Sequence, residues 1–417
     1  MRILFRDVRL VDASCDTIGC LLVDGGLIEA LLPEGTDPLS VGAERTVASP
    51  RGSVLLPAFV ELHAHFRDPG FPEKETLESG SLAAAAGGYG TVVCMANTKP
   101  VLDDPALARD LADRARERGL IDLFPALSLT RGMEGRDPGH LEALRGAGGG
   151  ADLPIRADLP VRILSEDGRD VADDAVFLKA LRLAAGLGLT VSCHCDSGGE
   201  DAATARAIAL AAEAKCRLHI AHVSTAVALD AVRRAKAAGQ AVTCEVSPHH
   251  LVLTEADAAR LGSDGPGRVN PPLRSEADRL ALIKGILDGT VDAIATDHAP
   301  HTAADKAAGA PGFTGLETAF AACKTELVDS GLIGLSRLSS LMSANPARIL
   351  GLSDRGRLEA GTRADLVLVD PFASYAVDPS AFRSKGRNSP FSGRVLRGRV
   401  LAAYHGGESV HDSRSVT

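Results

Sequence analysis

His63-Ala64-His65 sets two imidazoles two positions apart at the end of the apolar run Val54–Leu62. Alternate residues of an extended strand share a face, so both rings can reach one ion from rigid backbone. Asp167, His194, His222 and Asp297 each stand at or just after the end of another apolar run. The set offers four imidazoles and two carboxylates. Those donors suit Zn²⁺, and they outnumber what one tetrahedral ion needs. A binuclear centre, its ions roughly 3.5–4 Å apart and bridged by Asp167 and a hydroxide, would employ all six.

For these groups to converge, the runs that carry them must be strands whose C-terminal ends meet. From Ser53 to about Leu352 short β-branched or apolar runs alternate with Ala/Leu/Arg-rich stretches, the pattern of βα units around a parallel sheet. The runs are Val54–Leu62, Thr91–Ala96, Asp122–Leu127, Val161–Ser165, Thr190–His194, Arg217–His222, Ala241–Val246 and Val291–Thr296. Helical patterns at Pro105–Arg118, Asp201–Lys215 and Glu276–Leu287 separate several of them. Eight such strands predict an α/β fold, a (β/α)₈ TIM-like barrel over residues 54–352, with the metal-type residues on its catalytic face. The flanks, 1–53 and 353–417, hold short alternating strands with Gly turns and are expected to pair into one small β-sandwich domain. Gly135–Leu153 reads as a Gly-rich loop with a short helix, and Val410–Thr417 as a frayed tail.

The 417 residues are 45% hydrophobic and 24% charged, an ordinary soluble composition able to bury a core. A formal charge of −9 supplies no basic field, which disfavours general binding of nucleic acid or of an anionic membrane. Without an apolar stretch of about 18 residues the chain is expected in the cytoplasm. Its eight cysteines lie mostly in apolar runs and lack C-x-x-C spacing, so they read as buried free thiols. His219 and His249-His250 lie in or beside apolar strands and are expected to pack or to support ligands. His298 either orients the site beside Asp297 or caps a turn, and His140, His405 and His411 read as solvent residues. Gly87-Gly88-Tyr89-Gly90 precedes a strand and is not a phosphate loop.

Several segments carry a resemblance. His63-Ala64-His65-Phe66-Arg67-Asp68-Pro69-Gly70, Met95-Ala96-Asn97-Thr98, Asn270-Pro271-Pro272-Leu273-Arg274 and Thr296-Asp297-His298-Ala299-Pro300-His301 resemble the bacterial class I dihydroorotases of the amidohydrolase superfamily. Gly356–Gly361 and Ser384–Phe391 extend the likeness over nearly the whole chain. The resemblance implies reversible interconversion of N-carbamoyl-L-aspartate and L-dihydroorotate, a step of pyrimidine biosynthesis. It implies a zinc centre, two ions per subunit, held by His63, His65, Asp167, His194, His222 and Asp297. The chemistry agrees: a metal lowers the pKa of its water from about 15.7 to about 7, which gives a hydroxide nucleophile for opening a cyclic amide. Asp297 is then suited to take a proton and pass it to the leaving nitrogen. Substrate contacts implied by the family are His65, Arg67, Asn97, Asn270, His301, Pro311 and Gly312, with the planar fork of Arg67 matching a carboxylate. A homodimer is expected, with association with aspartate transcarbamoylase left open.

The chain also departs from its relatives. Hydantoinase-like and allantoinase-like enzymes bridge their metals with a carboxylated lysine on strand four, but Leu159–Gly168 contains no lysine. Arginine cannot form that carbamate, so Arg162 favours the type that uses Asp167, with Glu166 as a substitute ligand. The connection between His194 and His222 is short, which predicts a trimmed wall of the site, and Ala310–Gly315 reads as one residue short. The rival readings are an amidase of another cyclic substrate and an inactive scaffold for aspartate transcarbamoylase. Such scaffolds typically lose metal ligands, and all six are present here.

Overall fold

The computed structural model describes residues 1–145, 159–196 and 198–414. Eight parallel strands carry the candidate site: β1 Phe59–Ala64, β2 Tyr89–Cys94, β3 Asp122–Pro125, β4 Ile163–Ser165, β5 Thr190–Cys193, β6 Arg217–Ile220, β7 Val242–Val246 and β8 Ala293–Ile294. β1, β2 and β3 pair in order, as do β4 to β8. A bridge between Leu127 and Leu164 joins β3 to β4, and one between Ala64 and His298 joins β1 to the segment after β8, so the eight close into a ring. This is the expected TIM-like barrel.

The sequence explains the helices between the strands. Pro105–Arg118 starts where Asp104 accepts a hydrogen bond from the Ala106 amide, with Pro at the first position. It stops at Gly119, whose φ of 65° suits a residue without a Cβ. Glu200–Ala214 fills the short connection between His194 and His222 with one complete helix leading into β6. On β1 the residues alternate. Val60 and Leu62 share an apolar cluster with Ala347 and Ile349 of the helix Asn345–Ile349. Glu61 and His63 lie on the opposite face.

The run Val54–Leu62 is not one strand. Val54–Pro57 joins the sheet made by the chain ends, pairing in parallel with Arg2–Val11 and antiparallel with Leu366–Ala376. The break falls at Ala58, whose amide turns to the Asp365 carbonyl while that of Phe59 turns to Gly88. The terminal sheet has eight strands, in which Asp16–Asp24, Leu27–Leu32 and Arg45–Ala48 meet Val395–His405 and Glu408–Asp412 through this seam. Its core is Phe5, Leu10, Leu21, Leu55, Leu366 and Tyr404. Residues 410–412 of the expected frayed tail are instead paired, because Glu408–Asp412 joins Val395–His405, and 415–417 lie outside the described residues. Within the Gly-rich stretch a 3₁₀ helix spans Gly139–Leu144, and the part after residue 145 lies outside the described residues.

Candidate metal centre

His63 lies at the end of β1 and His65 just after it, Asp167 follows β4, His194 and His222 follow β5 and β6, and Asp297 follows β8. All six are buried. Asp167 is common to two groups whose atoms lie close enough to share an ion, one with His63 and His65 and the other with His194 and His222. Asp167 Oδ1 is 3.1 Å from His63 Nε2, 3.6 Å from His194 Nδ1 and 3.8 Å from His222 Nε2, while its Oδ2 is 3.4 Å from His65 Nε2. Asp297 joins the first group, its Oδ1 3.2 Å from His65 Nε2 and 3.7 Å from His63 Nε2. Zinc–nitrogen bonds of about 2.0–2.1 Å set tetrahedrally hold ligand atoms roughly 3.3–3.4 Å apart, and these separations bracket that value.

His63 Nε2 and Asp167 Oδ1 are buried yet have no hydrogen-bond partner among the described residues. Orphaned buried polar atoms are costly, and a shared cation satisfies both. The electrostatics favour one. Burial depresses the His63 imidazolium, but Asp167, Glu245 and Asp297 outweigh it and raise the ring well above its usual range. The imidazoles around Asp167 and Asp297 in turn hold both carboxylates below theirs, against the effect of burial. The donor set of imidazole and carboxylate therefore fits a borderline metal such as zinc.

The rings are aimed by neighbours. Glu245, on β7, accepts from His63 Nδ1 at 3.1 Å through Oε1 and from His219 Nε2 at 3.0 Å through Oε2. With Nδ1 committed to Glu245, Nε2 is the nitrogen that would give up its proton to ligate a metal, and it is directed at Asp167. Burial opposes the charge of Glu245, yet the two rings hold it down to about 2. Glu61 accepts the amides of His63 and Thr296, tying β1 to the end of β8. Its burial pushes it up to about 8. Neither Glu61 nor Glu245 is given a role by the sequence reading of the centre. The available signal was a lone carboxylate within each buried strand, FVELHA and VTCEV. His219 has the expected supporting place, and His250 Nε2 lies 3.1 Å from the Pro271 carbonyl.

Three of the site's non-glycine residues adopt left-handed backbone, Arg67 at φ 57°, His222 at 33° and Asp297 at 49°. Such residues cost of order 1–3 kcal/mol each and gather at functional sites. Glu166, read as a substitute ligand, is turned away and accepts the Leu129 and Thr130 amides.

The residues expected at the substrate line up on one rim, with different partners. Arg67 is half-buried, its Nη2 3.3 Å from His301 Nε2. His301 Nε2 is 2.9 Å from the Pro311 carbonyl, a contact that requires the proton on Nε2. Asn97 faces the metal-type residues, with Oδ1 2.9 Å from His65 Nδ1 and Nδ2 3.3 Å from Asp167 Oδ2. Asn270 Nδ2 lies 3.1 Å from His194 Nε2. Gly312 presses on the rim: at φ 132°, an added Cβ would lie 2.6 Å from that of Ala299. His298, beside Asp297, is held between Glu75 at 3.3 Å and the Gly315 amide at 3.2 Å.

None of the three expected solvent histidines is fully exposed, and His411 is half-buried on the last strand. His140 is buried, its Nε2 3.0 Å from the Ser128 carbonyl, because the 3₁₀ helix Gly139–Leu144 turns it inward. His405 sits with Asp122 and Asp365 in a third group of metal-type residues. That group already has its cations, Arg355 at 2.6 Å from Asp122 and Arg363 at 2.9 Å from Asp365.

Comparison with known proteins agrees with this geometry. The amidohydrolase family profile matches residues 54–410. A dihydroorotase of Clostridium botulinum (strain Eklund 17B / Type B) is 38% identical over 98% of this chain and 99% of its own length. A dihydroorotase of Pelotomaculum thermopropionicum is 38% identical over the full length of both. Among solved structures, the L-hydantoinase (dihydropyrimidinase) of Arthrobacter aurescens superposes with a TM-score of 0.84 at 26% identity, covering all of this chain and 97% of its own. The dihydropyrimidinase of Brevibacillus agri has a TM-score of 0.83 at 22% identity over 99% and 95%, a likeness of fold.

Proposed function

The chain belongs to the amidohydrolase family, and from that membership we propose that it is a zinc-dependent dihydroorotase that interconverts N-carbamoyl-L-aspartate and L-dihydroorotate. The observation that carries the reading is Asp167 standing between two pairs of imidazoles, on a barrel that ends in an arginine-bearing rim. His63, His65, Asp167 and Asp297 would hold one ion, and Asp167, His194 and His222 a second. When bound, the metal supplies a Lewis acid for the amide carbonyl and a water acidic enough to attack at neutral pH.

The chain's own residues do the rest. Asp297 is ionised at neutral pH, so it can accept the proton of the attacking water at Oδ and deliver it to the departing ring nitrogen. In ring closure it takes the proton from the ureido nitrogen instead. Arg67 and His301 hold the substrate carboxylate: burial beside Arg67 and Lys74 keeps His301 neutral, down at about 3, so its one N–H, on Nε2, turns from the Pro311 carbonyl to the carboxylate when substrate binds. Asn270 and the Pro311-Gly312 segment contact the ring, while Asn97 and Glu245 orient the ligating side chains. The protein works in the cytoplasm as a homodimer, with aspartate transcarbamoylase a partner to test by co-purification.

A hydantoinase-like activity has the support of fold neighbours at low identity, but the strand-four lysine that such a reading requires is absent from Leu159–Gly168. The test follows the reaction from both sides. Zinc-loaded protein should bring N-carbamoyl-L-aspartate and L-dihydroorotate to the same final ratio, and failure to convert either would refute the assignment.

A further inference from the structure

The segment from Thr302 to Phe313 contains a buried lysine that the reaction does not use. Lys306 lies on the helix Ala303–Ala307, its Nζ donating to the carbonyls of Arg268 at 2.8 Å, Ala310 at 2.8 Å and Gly312 at 3.0 Å. An ammonium has three donors and no acceptor, and here each donor has its own carbonyl. The Phe313 ring lies 5.4 Å from Nζ. Burial, with Arg268 nearby, pushes the ammonium down to about 8, so it stays mostly charged at neutral pH.

The three carbonyls come from two stretches of chain that are distant in sequence. Arg268 precedes Asn270, whose side chain reaches His194. Ala310 and Gly312 flank Pro311, whose carbonyl meets His301. The Gly312 amide donates back to the Arg268 carbonyl at 3.0 Å. Asn388, from the C-terminal segment, adds bonds to the Gly312 and Ala299 carbonyls at 3.0 and 2.9 Å. Of these ties Lys306 alone holds Arg268, Ala310 and Gly312 at one point.

We infer that Lys306 is a positioning residue for substrate binding, an internal tether that fixes the 310–312 segment against 268–270 and so sets the rim that receives the substrate's carboxylate and ring. The inference rests on the dihydroorotase reading above. Lysine suits the task because its donors diverge from one atom, whereas the arginine fork is planar and methionine has none.

The test uses the zinc-loaded full chain and K306M, which keeps the length of the stem and removes the donors, with K306Q as a second variant that retains an amide donor. The expected result for K306M is a KM for L-dihydroorotate raised at least tenfold, kcat changed less than threefold and zinc content unchanged. Hydrogen exchange of peptides covering 268–273 and 302–313 should speed at least tenfold while the strand peptides hold their protection, with K306Q intermediate. An unchanged KM, a fall confined to kcat, or faster exchange across the whole barrel would overturn the inference. If the wild-type protein converts no dihydroorotate, the reading of function fails by itself. The exchange data then decide alone: joint loosening of the two segments supports the tether, and unchanged protection refutes it.

Discussion

Replacing Glu245 by Gln tests whether the centre depends on a residue that touches no substrate. Glu245 receives one N–H from His63 and one from His219, at 3.1 and 3.0 Å, and it is fully buried. Glutamine has one acceptor and one donor group, so it can keep only one of these bonds. If its amide faced His63, that ring would carry its proton on Nε2 and could not ligate. The oxygen therefore turns to His63, and His219 changes tautomer, its Nδ1–H donating to Thr243 Oγ1 at 2.8 Å. What His63 loses is the charge on its acceptor. A bond to a charged group contributes about 1.5–3 kcal/mol against about 0.5–1.5 for a neutral one, a difference of roughly 1–1.5 kcal/mol or about tenfold. That matches the about 10–100-fold losses seen when such supporting partners are removed. The assay is zinc affinity by competition with a chromogenic chelator, beside thermal unfolding of the metal-free chain. E245Q should weaken zinc binding about tenfold and E245A, which leaves His63 Nδ1 and His219 Nε2 without their acceptor, about a hundredfold. Affinities within twofold of wild type for both would refute the argument.

Asp297→Asn keeps the shape of the side chain and removes its basicity. Turnover should fall by about 10²–10⁴ with the fold intact, and near-normal kcat would exclude Asp297 as the proton carrier. Arg67→Met should lower kcat/KM for L-dihydroorotate about tenfold to a thousandfold by removing a charge-assisted carboxylate contact, with kcat/KM for uncharged dihydrouracil not reduced; equal losses on both would rule out a carboxylate clamp. Glu317 is pushed up to about 7 by burial, which outweighs the Arg383 and Ser384 amides it accepts at 2.9 and 3.1 Å. The folded state thus binds its proton more tightly than the unfolded one, so stability declines as pH rises from about 4.5 to 7. Urea unfolding across that range should show a shallower decline for E317Q; parallel curves would contradict the shift.

The centre was legible because its residues sit where strands end, so that apolar runs and the histidines or aspartates after them gave both the barrel and the six converging groups. Less visible was anything set by partners far apart in the chain. Val54–Leu62 reads as one strand, yet Asp365 captures the Ala58 amide and hands Val54–Pro57 to another sheet. Glu245 looks anomalous inside an apolar strand, and its purpose appears only when His63, distant in sequence, is placed beside it. His140 reads as a loop residue until a short helix buries it. Asn97, expected at the substrate, also bridges His65 and Asp167 through its amide, a partnership that residue type and spacing do not specify.

The central claim is that the metal centre serves a ring bearing a carboxylate. Ring opening by zinc-loaded protein, measured side by side on L-dihydroorotate, dihydrouracil, hydantoin and allantoin, tests it most directly. The account predicts turnover of L-dihydroorotate alone. Turnover of an uncharged ring in its place would contradict the carboxylate site while keeping the metal chemistry, and no turnover of any would contradict both.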